Sequence, residues 1–201
     1  MRLFFAVCYP LLVHLSVYLN QTALSVLAMV SLAIAVFYPA LIARKVGAWL
    51  GLLVFAAVCF GAFLWQGRLF IIYAPPIIIP MIFGAVFVVS LLPNNIPLVT
   101  DIGERSRGPL SASMRRYTHG VTWLWSILFA VLVLEAILLA VFASAELWSL
   151  MTNIVNYLII GFIFVSEYLI RRLRYPSHNH PDFIDYIKIV VAHSPRAKRA
   201  S

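Results

Sequence analysis

Stretches of about twenty apolar residues recur along the chain, each closed by only a few polar ones. This feature restricts the fold more than any other. About 20 apolar residues, within a range of roughly 17–25, carry an α-helix across the hydrocarbon core of a bilayer. Six such runs are read: Leu3–Leu19, Thr22–Ala43, Val46–Gln66, Pro75–Leu92, Val121–Ala143 and Trp148–Ile170. Helices follow because unpaired backbone groups are intolerable in hydrocarbon. Composition removes the alternative of a soluble globule. The chain is 63% apolar and 11% charged, whereas soluble domains are near half apolar and a quarter charged. Intrinsic disorder fails for the same reason. The expected fold is an all-α membrane protein, a bundle of six transmembrane helices.

The first run, with Met1-Arg2 ahead of it, has the outline of a signal peptide. Pro10 and His14 interrupt it, however, and no small-x-small cleavage site precedes the next run, so it is read as a span. Cys8 and Cys59 both lie in apolar runs and offer neither a disulfide framework nor a zinc site. Lys and Arg set orientation. With the N-terminus in the cytoplasm, only Arg68 of the 15 basic residues falls outside. The expectation is a membrane protein with both termini cytoplasmic. Residues 1–175 form the six-span domain, with a cytoplasmic loop over 93–120, and 176–201 form a basic cytoplasmic tail. The net charge of +8 is then explained by topology and by anionic inner-leaflet lipid, with no nucleic-acid partner.

Polar residues inside the spans call for a reason, since a charge at the bilayer centre costs about 2.5–3.5 kcal/mol on insertion scales. Glu135 has only apolar helical neighbours. The fifth and sixth spans turn near Glu146, which puts Glu135, Asn153 and Asn156 at a similar depth. Asn153, Asn156 and Tyr157 share a helical face, and His14 approaches the same layer from the first span. Two readings stand: interhelical hydrogen bonds that fix the bundle, or a polar pocket for a headgroup, a substrate or a proton. Glu167 precedes Arg171 by the favourable ion-pair spacing. Pro80 is expected to kink the fourth span. Trp49, Trp65, Trp123, Trp125 and Trp148 are read as an interfacial aromatic belt.

The long loop mixes acids, bases and hydroxyls. Arg105, Arg107, Arg115, Arg116 and His119 gather before the fifth span and are read as binding lipid headgroups or an acidic partner. Serine-hydrolase, zinc-protease and Walker motifs are all missing, so no catalytic residue, cofactor or metal is expected. His178, His180 and Asp182 alternate in the tail, but a flexible His-rich patch accounts for them better than a metal site. Phe183–Val191 has the pattern of a short surface helix, and Ser194–Ser201 is basic.

The second half of the chain resembles a known family. Arg116-Tyr117-Thr118-His119-Gly120-Val121-Thr122-Trp123-Leu124-Trp125 is similar to an Arg-Tyr-Thr-Arg-x-Val-Thr-x-x-Trp pattern. Trp148-Ser149-Leu150, Asn153, Asn156-Tyr157, Gly161 and Glu167-Tyr168 with Arg171-Arg172 are similar to the same family. It is a small bacterial family of polytopic membrane proteins often found with aryl-polyene (xanthomonadin-type) pigment biosynthesis. The similarity covers roughly residues 70–175, and His119 stands where the pattern has Arg. The resemblance implies an inner-membrane location and a link to polyene or fatty-acyl chemistry, with no active site to carry over.

The leading expectation is a non-enzymatic accessory or scaffold protein for acyl or polyene lipid biosynthesis. It would contact membrane lipids, dock an acyl carrier protein or biosynthetic enzymes through its basic loop, and form an oligomer in one version of this reading. The alternatives are a small transporter or flippase for the lipid product, and a membrane acyltransferase-like enzyme.

Overall fold

The computed structural model describes residues 2–44, 46–64 and 68–175. The tail, with His178, His180, Asp182 and Phe183–Val191, lies outside the described residues, as does Trp65. Every regular element among the described residues is helical: α1 (Arg2–Tyr18), α2 (Thr22–Ile42), α3 (Val46–Leu64), α4 (Arg68–Ser90), α5 (Leu98–Arg107), α6 (Ala112–Phe142), α7 (Ala145–Leu150) and α8 (Asn156–Arg174). A π-helical turn, Met151–Val155, joins α7 to α8, so that Ala145–Arg174 is one continuous helix. Three helices are long and apolar enough to cross a membrane: Tyr73–Ser90, Ala112–Phe142 and Ala145–Arg174. Phe4–Tyr18 and Thr22–Tyr38 are shorter apolar helices.

Two boundaries and one added helix differ from the hydropathy reading. α4 begins at Arg68 and carries Pro75, Pro76 and Pro80 inside it, which membrane helices tolerate because neighbouring groups re-satisfy the freed carbonyls. The segment 93–120 is largely helical, holding α5 and the start of α6. Polarity hides this start. Ser111 caps it, its Oγ accepting from Met114 N at 3.3 Å. Thr118, Thr122 and Ser126 then donate back to carbonyls four residues earlier, at 2.9–3.0 Å, so their hydroxyls do not compete with the helix.

The chain divides into two compact units, Met1–Pro80 with Val131–Ile159 and Met81–Ala130 with Ile160–Ser201. In the first, α1 and α2 form an antiparallel hairpin. Asn20 turns it with φ +52°, a left-handed conformation that Asn tolerates. Two hydroxyls tie the pair: Ser25 donates to Ser16 Oγ at 3.0 Å and Ser31 to Phe5 O at 2.7 Å. Tyr9, Val13, Ala28 and Trp148 make the core, with Tyr73 and Leu139 packed against it. Trp148 is fully buried and is no interfacial belt residue. Its Nε1 donates to Ala136 O at 3.1 Å and its ring lies 4.1 Å from that of Tyr73.

In the second unit, α6 and α8 run antiparallel, with Trp125 packed on Phe164, Tyr117 meeting Glu167 and Tyr175 meeting Ser113. Phe87, Trp125 and Phe129 stack beside them. Gly84 lets α4 approach Phe129, where a Cβ would stand 3.1 Å from its Cβ. Outside both cores the pattern inverts that of a water-soluble protein. Leu53 and Leu134 in the first unit and Ile82, Ile127 and Phe162 in the second are all exposed, which is compatible with a membrane protein.

Candidate functional site

The chemistry of the second unit is assembled by α5. Pro97 precedes it without a side-chain cap, so its first N–H groups are satisfied from elsewhere. Ser90 Oγ accepts from Leu98 N at 3.0 Å and Thr122 Oγ1 from Val99 N at 3.3 Å. Thr118 spends its proton on its own helix, which makes Thr100 the donor in the buried 2.7 Å contact between the two threonines. At the far end Gly108 adopts φ +85°, open to glycine at little cost, and its N–H donates to Glu104 O. α5 is therefore clamped to α6 and is not a loose loop.

This clamp changes the charge of the basic cluster. Arg105 reaches Asp101 with two contacts, Nε–Oδ1 at 2.9 Å and Nη2–Oδ2 at 2.7 Å. Arg115 Nε meets Glu104 at 2.6 Å. Arg107 lies at the end of α5. His119 and Arg116 are exposed on α6. Among the described residues no acid faces Arg116, Arg172 or Arg174, and all three are exposed. Exposed arginines with no salt bridge among the described residues thus stand at the α6 start (Arg116) and at the α8 end (Arg172 and Arg174).

Between those two helix ends runs a groove of about 650 Å3. Ser113, Arg116, Tyr117, Arg174 and Tyr175 line one end, and Val121, Leu124, Ile163 and Ile170 line the wall beyond. Glu167 also borders it, but its carboxylate is buried and neutralised. Arg171 Nε lies 3.5 Å away, with both side chains under a tenth exposed, and the Tyr117 hydroxyl donates to Glu167 Oε1 at 3.4 Å. The rings of Tyr117 and Tyr175 meet edge-on at 5.4 Å and frame the mouth.

The first unit holds a buried polar chain. Asn153, in the π turn, donates from Nδ2 to Ser149 O at 3.2 Å, Thr152 Oγ1 at 3.1 Å and Ser149 Oγ at 3.5 Å. Ser149 Oγ lies 3.2 Å from His14 Nδ1 on α1. Which of the two donates depends on the imidazole tautomer, since the Ser149 hydroxyl can both donate and accept. Among the described residues, Asn153 Oδ1, Asn156 Oδ1 and the Tyr9 hydroxyl are buried without a hydrogen-bond partner. Of the residues expected in one layer, His14, Asn153 and Asn156 lie in or beside this chain. Tyr157 is 44% exposed, and Glu135 is half-buried with no hydrogen bond among the described residues. Sequence reasoning passed over Ser149, Thr152 and Tyr9. Ser149 carried a usable signal, standing one helical turn before Asn153.

Among the described residues no group of three His, Cys, Asp or Glu side chains converges on a metal position. The chain matches no protein-family model, no curated protein and no solved structure. A functional reading therefore rests on these two constellations.

Proposed function

We propose that this chain is a six-span inner-membrane protein with both termini in the cytoplasm. It performs no chemistry of its own and acts as an accessory platform for enzymes that build acyl or polyene lipids. Its cytoplasmic contact is the end of the second unit, where Arg116, Arg172 and Arg174 stand exposed. One observation carries the reading: these three lack acidic partners among the described residues, while Arg105 and Arg115 are held by Asp101 and Glu104. An arginine already in an ion pair has less to offer an incoming anion. An acidic soluble partner such as an acyl carrier protein is thus drawn to the free three.

The test is a pull-down of acyl carrier protein and the lipid-building enzymes by the full chain at low and high salt. Replacing Arg116, Arg172 and Arg174 by Gln is expected to abolish capture at low salt, and wild-type capture is expected to fall as salt rises. Replacing Arg105 and Arg115 by Gln is expected to leave most of it. Unchanged capture by the triple variant contradicts the platform.

A second reading is favoured by the buried oxygens of Asn153, Asn156 and Tyr9, together with a π turn, an element frequent at functional sites. On that reading the protein moves the lipid product across the bilayer. A deletion strain that accumulates finished lipid in the inner membrane selects it over the platform.

A further inference from the structure

The groove between α6 and α8 has a graded lining. Along α6 the residues that border it pass from Ser113 and Arg116 to Gly120, Val121 and Leu124. At 1.5 Å per residue this stretch covers about 16 Å. α8 runs antiparallel, and its lining passes from Tyr175 and Arg174 through Ile170, Glu167 and Ser166 to Ile163. The cations thus stand at one end and Val121, Leu124 and Ile163 at the other, with Ser166 and the paired Glu167 between them, on two helices apolar enough to cross a membrane. Its volume of about 650 Å3 lies within the roughly 300–1,000 Å3 of small-ligand sites.

The charge at the mouth is net positive. Glu167 is compensated by Arg171, and the Tyr117 hydroxyl lies 3.3 Å from its carbonyl and 3.4 Å from its Oε1, while Arg116 and Arg174 form no salt bridge among the described residues. Guanidinium groups pair bidentately with phosphate oxygens, and tyrosines suit the headgroup level. Gly120 keeps the middle of the groove open. Among the described residues a Cβ built there meets nothing within 4 Å, so a larger side chain at this position projects into open space.

We propose that this groove holds one anionic glycerophospholipid, its phosphate between Arg116 and Arg174 and one acyl chain along Val121, Leu124 and Ile163. The proposal goes beyond the docking platform, because it requires the apolar wall and Gly120 as well as the arginines. A bound lipid would also complete the coat of the second unit and fix the separation of the α6 and α8 ends.

The two ideas separate experimentally. The full chain is purified in detergent and titrated with phosphatidylglycerol or phosphatidylcholine of the same acyl chains, with native mass spectrometry counting bound lipid. The wild type is expected to retain one phosphatidylglycerol, at least tenfold in preference to phosphatidylcholine. R116Q/R174Q is expected to bring that preference within twofold. G120L fills the groove while leaving both arginines in place. It is expected to lose the retained lipid at least tenfold, with capture of acidic partners no weaker, since both arginines are then released from the phosphate. Leu124→Trp fills the same space from the next turn and replaces G120L if that variant does not fold. Equal retention of the two lipids by the wild type overturns the proposal, as does full occupancy in the groove-filling variant. Lost lipid with equal or stronger partner capture in the groove-filling variant supports it, whatever becomes of the platform.

Discussion

At the scale of single residues, the Glu167–Arg171 pair is the clearest case of chemistry enforced by burial. The two side chains are 3% and 8% exposed and 3.5 Å apart. Removing one partner leaves a buried charge uncompensated, which costs about 3–5 kcal/mol, whereas replacing both by apolar groups is often neutral. Glu167→Ala is therefore expected to lower stability by about 3–5 kcal/mol. Glu167→Leu with Arg171→Leu is expected to cost much less, as measured by equilibrium unfolding in mixed micelles. Equal losses in the two would mean that the pair is not coupled. Its spacing was visible in the sequence; its burial was not, since a charge pair beside a helix end reads as solvent-facing. Trp148 failed to show for a related reason. A tryptophan next to a turn fits an interface, and only the Ala136 carbonyl and the Tyr73 ring, both distant in sequence, draw it inside. Glu135 shows the converse, a charge conspicuous in the sequence that no described group bonds in the fold.

At the scale of elements, α5 departs most from the sequence reading. Its residues are polar enough to pass for a loop, and its entry lacks a capping side chain. The hydroxyls of Ser90 and Thr122, from neighbouring elements, take its first N–H groups, and Thr118 takes the hydroxyl of Thr100. Such support is invisible to hydropathy, which registers threonine in an apolar helix only as a weak apolar residue. Thr100→Val keeps the shape and removes one buried donor, a loss of about 1 kcal/mol. Amide exchange across 98–107 is then expected to quicken about fivefold relative to α6. No change in that ratio would show that packing alone holds α5. The helical runs themselves were legible throughout, because a length near 20 residues and near-uniform apolarity suffice to place them. Their faces were not, since a helix apolar all round carries little sidedness.

At the scale of the whole molecule, the account depends on where its polar ends lie. Three helices have the length and apolarity to cross a bilayer, and the exposed apolar side chains of both units are compatible with a lipid surrounding. The platform and the lipid groove both need Arg116 and Arg174 on the cytoplasmic side, where anionic lipid and soluble acidic partners are met. Cysteine-scanning accessibility in intact cells tests this most directly, with single cysteines at Gln21, Ser106 and Ser201 in a background lacking Cys8 and Cys59. A membrane-impermeant maleimide is expected to label Gln21→Cys from outside, and to reach Ser106→Cys and Ser201→Cys only after the cells are opened. Labelling of Ser106→Cys and Ser201→Cys from opposite faces would contradict the account.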